Sequence, residues 1–339
     1  LVGGEGRIFR YGERAWTELA LPAPDTQVWS LMAMDGVILA GTRPLGLFRS
    51  DDGGRRWESL SFALPMSGEP QPEARRADMG IPRAERGGEP QPAVRGAAGG
   101  EPRRWTGEAQ RAPRRANMGI PRAERGGEPQ PEARRADMGI PRAERGAPQP
   151  HTPRITALLP SPWAAGEVLA GVEVGGVFAS ADGGRSWSAA NEEIPSLDVH
   201  GLAWSSGGLL LAATPRGVAM WRSARWMEGV FEPADRYCRA LATRPDNPGM
   251  LYCGFGDGPP GTRGEIALST DGGRSWRASG MLSDTDSTIW SVATAADAAG
   301  LVLACSISGK VFVSLDGCAS ARPVLTTGFE TRAVACLAE

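Results

Sequence analysis

Arginine, tryptophan and a few loop carboxylates are the residues with which this chain could do chemistry. It has only two histidines, His151 and His200, which excludes a metal centre built from several imidazoles. Its five cysteines, Cys238, Cys253, Cys305, Cys318 and Cys336, form no C-x-x-C pair. Four of them sit in apolar runs, which fits buried, reduced thiols. Six positions stand out: Trp29, Thr156, His200, Arg239, Trp290 and Arg332. They fall in one column when the short apolar segments VWSLMA, ITALLP, VHGLAW, CRALAT, IWSVAT and RAVACLA are aligned. Arginine pairs with carboxylates or phosphates through parallel hydrogen bonds, and tryptophan stacks on flat or sugar faces. Gathered at one mouth, Trp29, His200, Arg239, Trp290 and Arg332 would hold an anionic or peptide ligand. The competing assignment makes the tryptophans core residues and the arginines a solvated rim.

Such a column needs a repeated unit to build it. Three segments fit S-x-D-x-G-x-x-W: Ser50, Asp52, Gly54, Trp57; Ser180, Asp182, Gly184, Trp187; and Ser269, Asp271, Gly273, Trp276. A fourth keeps Ser314 and Asp316 but has lost the second glycine and the tryptophan. Asp-Gly favours a tight turn with positive φ, the Ser and Asp oxygens can accept from turn amides, and the Trp can pack into a sheet. That is turn chemistry, not catalysis. Before each box, segments such as VILAGTRPLGLFRS and LVLACSISGKVFVS read as hairpins. Similar pairs without a box occur in LLLAATPRGVAMWRSARW and near Leu1–Trp16.

The spacing fixes the architecture. Ser269 and Ser314 are 45 residues apart, and Ser180 and Ser269 are 89 apart, or two units. Ser50 and Ser180 are 130 apart, which falls to 42 once an 88-residue insertion is removed. A period near 44 fits one four-stranded propeller blade per unit. The expected fold is an all-β, six-bladed β-propeller spanning 1–65 and 154–339. Its blades are predicted at about 332–339 with 1–19, 26–62, 154–190, 198–228, 237–281 and 288–324. Pairing of the terminal segments would close the ring and remove exposed sheet edges.

The insertion, 66–153, is of another kind. GEPQPEARRADMGIPRAERG occurs at Gly68–Gly87 and again, letter for letter, at Gly127–Gly146. With 16 arginines, 12 acidic residues and few large apolar side chains, it is expected to be a disordered low-complexity segment.

The boxes resemble the Asp-box, or BNR-repeat, superfamily of sialidases, xyloglucanases, sortilin-type receptors and photosystem II assembly factors. The stretch from Arg244 to Tyr252, RPDNPGMLY, is similar to a D-P-x-N-P segment common in that group. The resemblance implies a propeller but spans enzymes and binders alike. A sialidase-like site would need three arginines, a Tyr–Glu nucleophile pair and an acid. Tyr11, Tyr237 and Tyr252 are the available tyrosines; Tyr237, flanked by Arg236 and Arg239, is the best placed, with no glutamate assignable beside it. A xyloglucanase-like site would need two opposed carboxylates. Asp35, Asp246, Asp257, Asp284 and Asp286 are loop candidates, and nothing singles out a pair.

The expectation is therefore a non-catalytic binding or assembly module for a protein, peptide or carbohydrate ligand, with a glycoside hydrolase or a decayed relative of one as the alternative. No cofactor or metal is expected, and a monomer is. A net charge of −2 gives no general pull toward nucleic acid. No apolar run approaches the ~18 residues of a membrane span. Unpaired cysteines and the lack of a signal sequence lean toward the cytoplasm. The chain starts at Leu1 without methionine, which leaves a processed N-terminus and secretion open.

Overall fold

The computed structural model describes residues 2–3, 7–12, 15–62 apart from 24, residue 64, and 152–334 apart from 206, 245, 246, 248, 283, 296 and 297. These belong to a unit formed by Leu1–Arg83 and Pro150–Glu339. Residues 66–151 of the insertion, and most of the C-terminal strand expected near Arg332–Ala338, lie outside the described residues.

The fold is a β-propeller, with no helix among the described residues. A three-stranded sheet comes first: β1 (Val2–Gly3), β2 (Arg7–Gly12) and β3 (Ala15–Ala20). Then come β4 (Gln27–Met34), β5 (Val37–Arg43), β6 (Gly46–Ser50) and β7 (Glu58–Leu60). The next sheet holds β8 (Arg154–Pro160), β9 (Val168–Glu173), β10 (Gly176–Ser180) and β11 (Ser188–Ala189). It is followed by β12 (Gly201–Trp204), β13 (Leu210–Thr214), β14 (Gly217–Arg222) and β15 (Arg225–Glu228). A five-stranded sheet contains β16 (Val230–Phe231), β17 (Tyr237–Thr243), β18 (Leu251–Gly256), β19 (Gly264–Ser269) and β20 (Ser275–Ala278). The last sheet is β21 (Ile289–Thr294), β22 (Val302–Ser306), β23 (Lys310–Ser314) and β24 (Arg322–Thr326).

The expected count of six blades is thereby corrected to five complete ones. The N-terminal sheet has only three strands, and no fourth strand pairs with it among the described residues. Arg332, Ala333 and Val334 are described but form no strand. Closure rested on the end of the chain, where no repeated turn marks the strand.

Within each full blade the strands run antiparallel, apart from β16, which pairs parallel with β20, and successive residues face opposite neighbours. Leu39 packs with Ile155, Val168 and Phe178 toward the next blade, while Ala40 packs with Ile8 and Leu19 toward the preceding one. In β13, Ala212 joins Leu169 and Val199, and Leu211 joins Leu251 and Trp276. Fully burying one such leucine stabilises by about 1.5–3 kcal/mol. Because each apolar layer lies between two sheets, the blades are held mainly by their neighbours. Gly254 in β18 allows close approach: a Cβ there would lie 2.8 Å from the Ile289 carbonyl oxygen of β21.

The four S-x-D-x turns fold alike. The Ser269 hydroxyl donates to Asp271 Oδ1 at 2.8 Å and accepts from the Gly273 amide at 2.8 Å. Asp271 Oδ1 also accepts from the Arg274 and Ser275 amides, both at 3.0 Å. Ser50–Asp52, Ser180–Asp182 and Ser314–Asp316 repeat this pattern. The fourth turn keeps it without the second glycine, because Cys318 takes the left-handed backbone itself, at φ 70°. The turn is therefore set by Ser and Asp, with glycine relieving strain. Trp276 is buried and donates to the Gly273 carbonyl at 3.0 Å; Trp187 does the same to Gly184 at 2.8 Å. Trp57 packs beside the cluster of Ile8 and Leu19, with its indole nitrogen unpaired.

The four described cysteines, Cys238, Cys253, Cys305 and Cys318, are free and buried. Burial is the first cause that pushes the Cys305 and Cys318 thiols up to about 12. Both are inert as nucleophiles at neutral pH. No helix among the described residues is long and apolar enough to cross a membrane.

Candidate functional site

The innermost strands β4, β8, β12, β17 and β21 contact one another in that order. Four carry a bulge at the same place. Pairing skips between Val28 and Ser30, Ile155 and Ala157, Cys238 and Ala240, and Ile289 and Ser291. The residues left out are Trp29, Thr156, Arg239 and Trp290, four members of the column. A bulge frees one residue from the ladder and re-aims its side chain. His200 holds the corresponding place just ahead of β12.

Side chains beside the bulges also tie the inner strands together. Ser30 donates to the Ile155 carbonyl at 2.8 Å, and Thr156 to the Val199 carbonyl at 2.6 Å. His200 Nδ1 lies 2.6 Å from the Cys238 carbonyl oxygen. Thr156 is thus a link between strands, and its hydroxyl also reaches the Gly171 carbonyl at 3.1 Å.

Trp29, Arg239, Trp290 and Arg332 are linked by guanidinium–indole contacts. The Arg239 guanidinium lies 4.0 Å from the Trp290 ring centroid and 5.9 Å from that of Trp29. Arg332 stacks on Trp29 at 5.1 Å. A third arginine, Arg154, lies closest to that ring, at 4.0 Å. His200 is buried behind them, its ring 4.8 Å from that of Tyr237.

Three residues of this cluster escape the sequence reading, Arg154, Glu173 and Asp198, and they lie beside Tyr237, the tyrosine the sequence singled out. Arg154 and Glu173 face each other across the β8–β9 ladder and form a bidentate pair through Nε and Nη2. Arg239 Nη1 lies 3.6 Å from Glu173 Oε2, too far for a hydrogen bond, and has no hydrogen-bond partner although the side chain is 4% exposed. Asp198 Oδ1 is 3.3 Å from His200 Nε2. The cross-strand pairing of Arg154 with Glu173 is the one sequence signal that could have found them, once the hairpin register was known.

The electrostatics follow from burial beside opposite charge. Burial pushes the Asp198 carboxyl up, but His200, Arg239 and Arg154 outweigh it and hold it below the ordinary value. Burial raises the Tyr237 phenol, with Arg239 pulling the other way. Burial also pulls the Arg239 guanidinium down, against the raising effects of Tyr237 and Glu173. Arg332 pairs with Glu330 and is about half exposed.

The loop carboxylates available for an opposed pair have the following surroundings. Asp257 accepts from the Thr262 amide and hydroxyl, both at 2.7 Å, within its own turn. Asp284 and Asp286 flank Lys310, at 3.2 and 3.7 Å. Asp246 lies outside the described residues. Asp35 borders a separate cavity of about 220 Å³ between β4–β6 and the second box, with Met32, Val168 and the buried Arg49.

No family profile matches the sequence, and no curated protein matches it. Among solved structures, YCF48 from Cyanidioschyzon merolae superposes with a TM-score of 0.53 at 13% identity, over 97% of this chain and 81% of that one. A chain of the mitotic checkpoint complex gives 0.55 at 11% identity, over 98% and 75%. An ancestral GH74 enzyme is 21% identical over 50% of this chain, with a TM-score of 0.44; the match covers 24% of that enzyme. What the chain shares with YCF48 and the checkpoint protein is the β-propeller fold.

Proposed function

We propose that the chain is a non-catalytic binding or assembly module that takes a peptide or protein segment by an anionic group, at the mouth formed by Arg239, Arg332, Trp29 and Trp290. One observation carries this: guanidiniums from three separate segments, Arg154, Arg239 and Arg332, gather on the single half-buried Trp29 ring. A guanidinium held over an aromatic face can still turn N–H groups toward an acceptor, beyond those that Arg154 and Arg332 share with Glu173 and Glu330. Arg239 supports it further, because its Nη1 is buried without a hydrogen-bond partner, a state that a ligand oxygen would relieve. The Val334 amide donates to the Ser291 hydroxyl of β21 at 3.3 Å, which ties the chain beyond Arg332 to the inner strands and supports a place for Arg332 at the mouth.

The test is calorimetry with a panel of short peptides, each with a free C-terminal carboxylate and as the amide. Peptides with the free carboxylate should bind and their amides should not. Arg239→Gln combined with Arg332→Gln should abolish binding while unfolding stays cooperative. Unchanged binding in the double variant overturns the proposal. Arg332→Gln alone, at an exposed side chain, guards against misfolding.

A glycoside hydrolase is the second reading, and one observation favours it. Tyr237 feels the charges of Arg239, Glu173 and Arg154, so the residue types of a sialidase-like site are gathered after all. Yet Glu173 is already committed to Arg154, and the Tyr237 phenol is shifted up, away from the phenolate a nucleophile needs. Hydrolysis of a fluorogenic sialoside by the wild type and not by Tyr237→Phe would replace the binding proposal.

A further inference from the structure

We infer that the cavity of about 220 Å³ between β4–β6 and the second box is a binding site for a small uncharged aromatic molecule that carries one hydrogen-bond acceptor. This site is independent of the peptide proposal, because it lies away from the mouth. Trp29 and Arg154 stand near the starts of β4 and β8, whereas Met32 and Met34 lie near the end of β4, and Val168 pairs with Pro160 at the end of β8.

The unusual residue here is Arg49. It directly precedes the box serine Ser50, and the same place in the other boxes holds Ala179, Leu268 and Val313. An apolar position has become a guanidinium in a residue only 5% exposed. Burying a charge is costly unless its donors are satisfied. Arg49 Nε donates to the Gly183 carbonyl at 3.0 Å, and Nη1 pairs with Asp51. Nη2 makes no hydrogen bond among the described residues and, unlike Arg239 Nη1, is not sealed by its neighbours. Arg49 lines the cavity, so Nη2 is the donor it has left to offer there.

The rest of the lining sets the class of ligand. Met32, Met34, Val37 and Val168 give an apolar wall. Thioethers adapt to irregular shapes and make favourable contacts with ring edges. An apolar cavity of about 150 Å³ is enough for one benzene ring. The larger volume here admits one ring with a short substituent. Charge argues against an anion, because the carboxylates of Asp35, Asp51 and Asp182 stand against the two guanidiniums of Arg49 and Arg185. A cation would meet Arg49 itself. An uncharged carbonyl oxygen accepting from Nη2 satisfies the donor and adds no charge.

The test is a ¹⁹F NMR titration of the full chain with 4′-fluoroacetophenone, with fluorobenzene and 4-fluorobenzoate for comparison. The ketone should bind with a Kd below about 1 mM. Fluorobenzene, which lacks the carbonyl, should bind at least about fivefold more weakly, and the benzoate should not exceed the ketone. Val37→Phe fills the cavity from a half-buried position and should abolish binding. Arg49→Met should erase the preference for the ketone over fluorobenzene; if that variant unfolds, Val37→Phe still decides the location. Absence of ketone binding at about 5 mM overturns the inference. So does equal binding of ketone and fluorobenzene by the wild type, tighter binding of the benzoate, or unchanged binding in Val37→Phe. Arg239→Gln combined with Arg332→Gln should leave the titration unaltered. Loss of binding in that double variant would place the ring on the tryptophans of the mouth and overturn the inference, while the peptide proposal would stand.

Discussion

The Arg239 guanidinium stacks 4.0 Å from the centroid of the Trp290 ring, although the two residues sit on the inner strands of different blades, 51 residues apart. Each is the residue that a bulge leaves out of its ladder. The same backbone irregularity, repeated from blade to blade, builds the mouth.

The two tryptophans should differ in their effect on ligand binding. Trp29 lies under three guanidiniums and Trp290 under one. Each cation–π contact is worth about 0.5–2 kcal/mol. Trp29→Ala should therefore weaken peptide affinity by about tenfold or more, and Trp290→Ala by less, as read by calorimetry.

Removing the carboxylate at the centre of the arginines should destabilise the fold. The side chains of Glu173 and Arg154 are 10% and 16% exposed. Glu173→Gln leaves two guanidiniums without their shared anion and should lower stability by about 3 kcal/mol in urea unfolding. Adding Arg154→Met should recover part of that loss; no recovery would mean that Glu173 acts through other contacts.

Turn glycines should separate backbone strain from packing. Gly273 has φ +93°, and a Cβ there would meet Leu211 Cδ1 at 2.5 Å. Gly280 has φ +72° and open space around it. Gly280→Ala should cost about 1 kcal/mol, the backbone share alone. Gly273→Ala should cost clearly more in thermal melts.

The box aspartates should matter in a defined pH window. Burial pushes Asp271 up, but the Ser275 hydroxyl and amide, with Ser269 and the Arg274 amide, bring it down to about 2. At Asp316 the Ser320 hydroxyl leads the same lowering, again to about 2. Because the folded values lie below the unfolded aspartate value of about 3.9, the stabilisation is complete above about pH 5 and fades as pH falls toward 2. The melting-temperature gap between wild type and Asp271→Ala should be widest above pH 5 and shrink on acidification through that window.

The fold was legible because its turns are written in short-range chemistry. Ser269, Asp271 and Gly273 act within five residues of chain, so their spacing survives in the sequence. The Trp29–Arg239–Trp290 alignment was legible because it recurs at one position of a repeated hairpin. Arg154, Glu173 and Asp198 were not, because each occurs once, at a strand end or in a connecting loop, and only tertiary contact makes them neighbours. Glu173 illustrates this: it lies 64 residues from Tyr237, whose phenol senses its charge only through the packing of different blades. The blade count failed for a related reason. The last strand had to be inferred from RAVACLA alone, without a box or hairpin to anchor it.

The short strand β16 leaves the β12–β15 sheet and runs parallel to β20 at the outer edge of its successor, where Phe231 pairs with Trp276. It acts as a strap over a seam. Peeling either sheet away would first have to break hydrogen bonds belonging to the other, so the two should come apart as one cooperative block. Elsewhere among the described residues neighbouring blades are fastened by side chains, apolar layers and isolated backbone bonds such as Trp226 N–H to the Glu192 carbonyl and Thr288 N–H to the Pro260 carbonyl, both at 2.9 Å, without a shared strand, and those seams are where an unfolding front would open first.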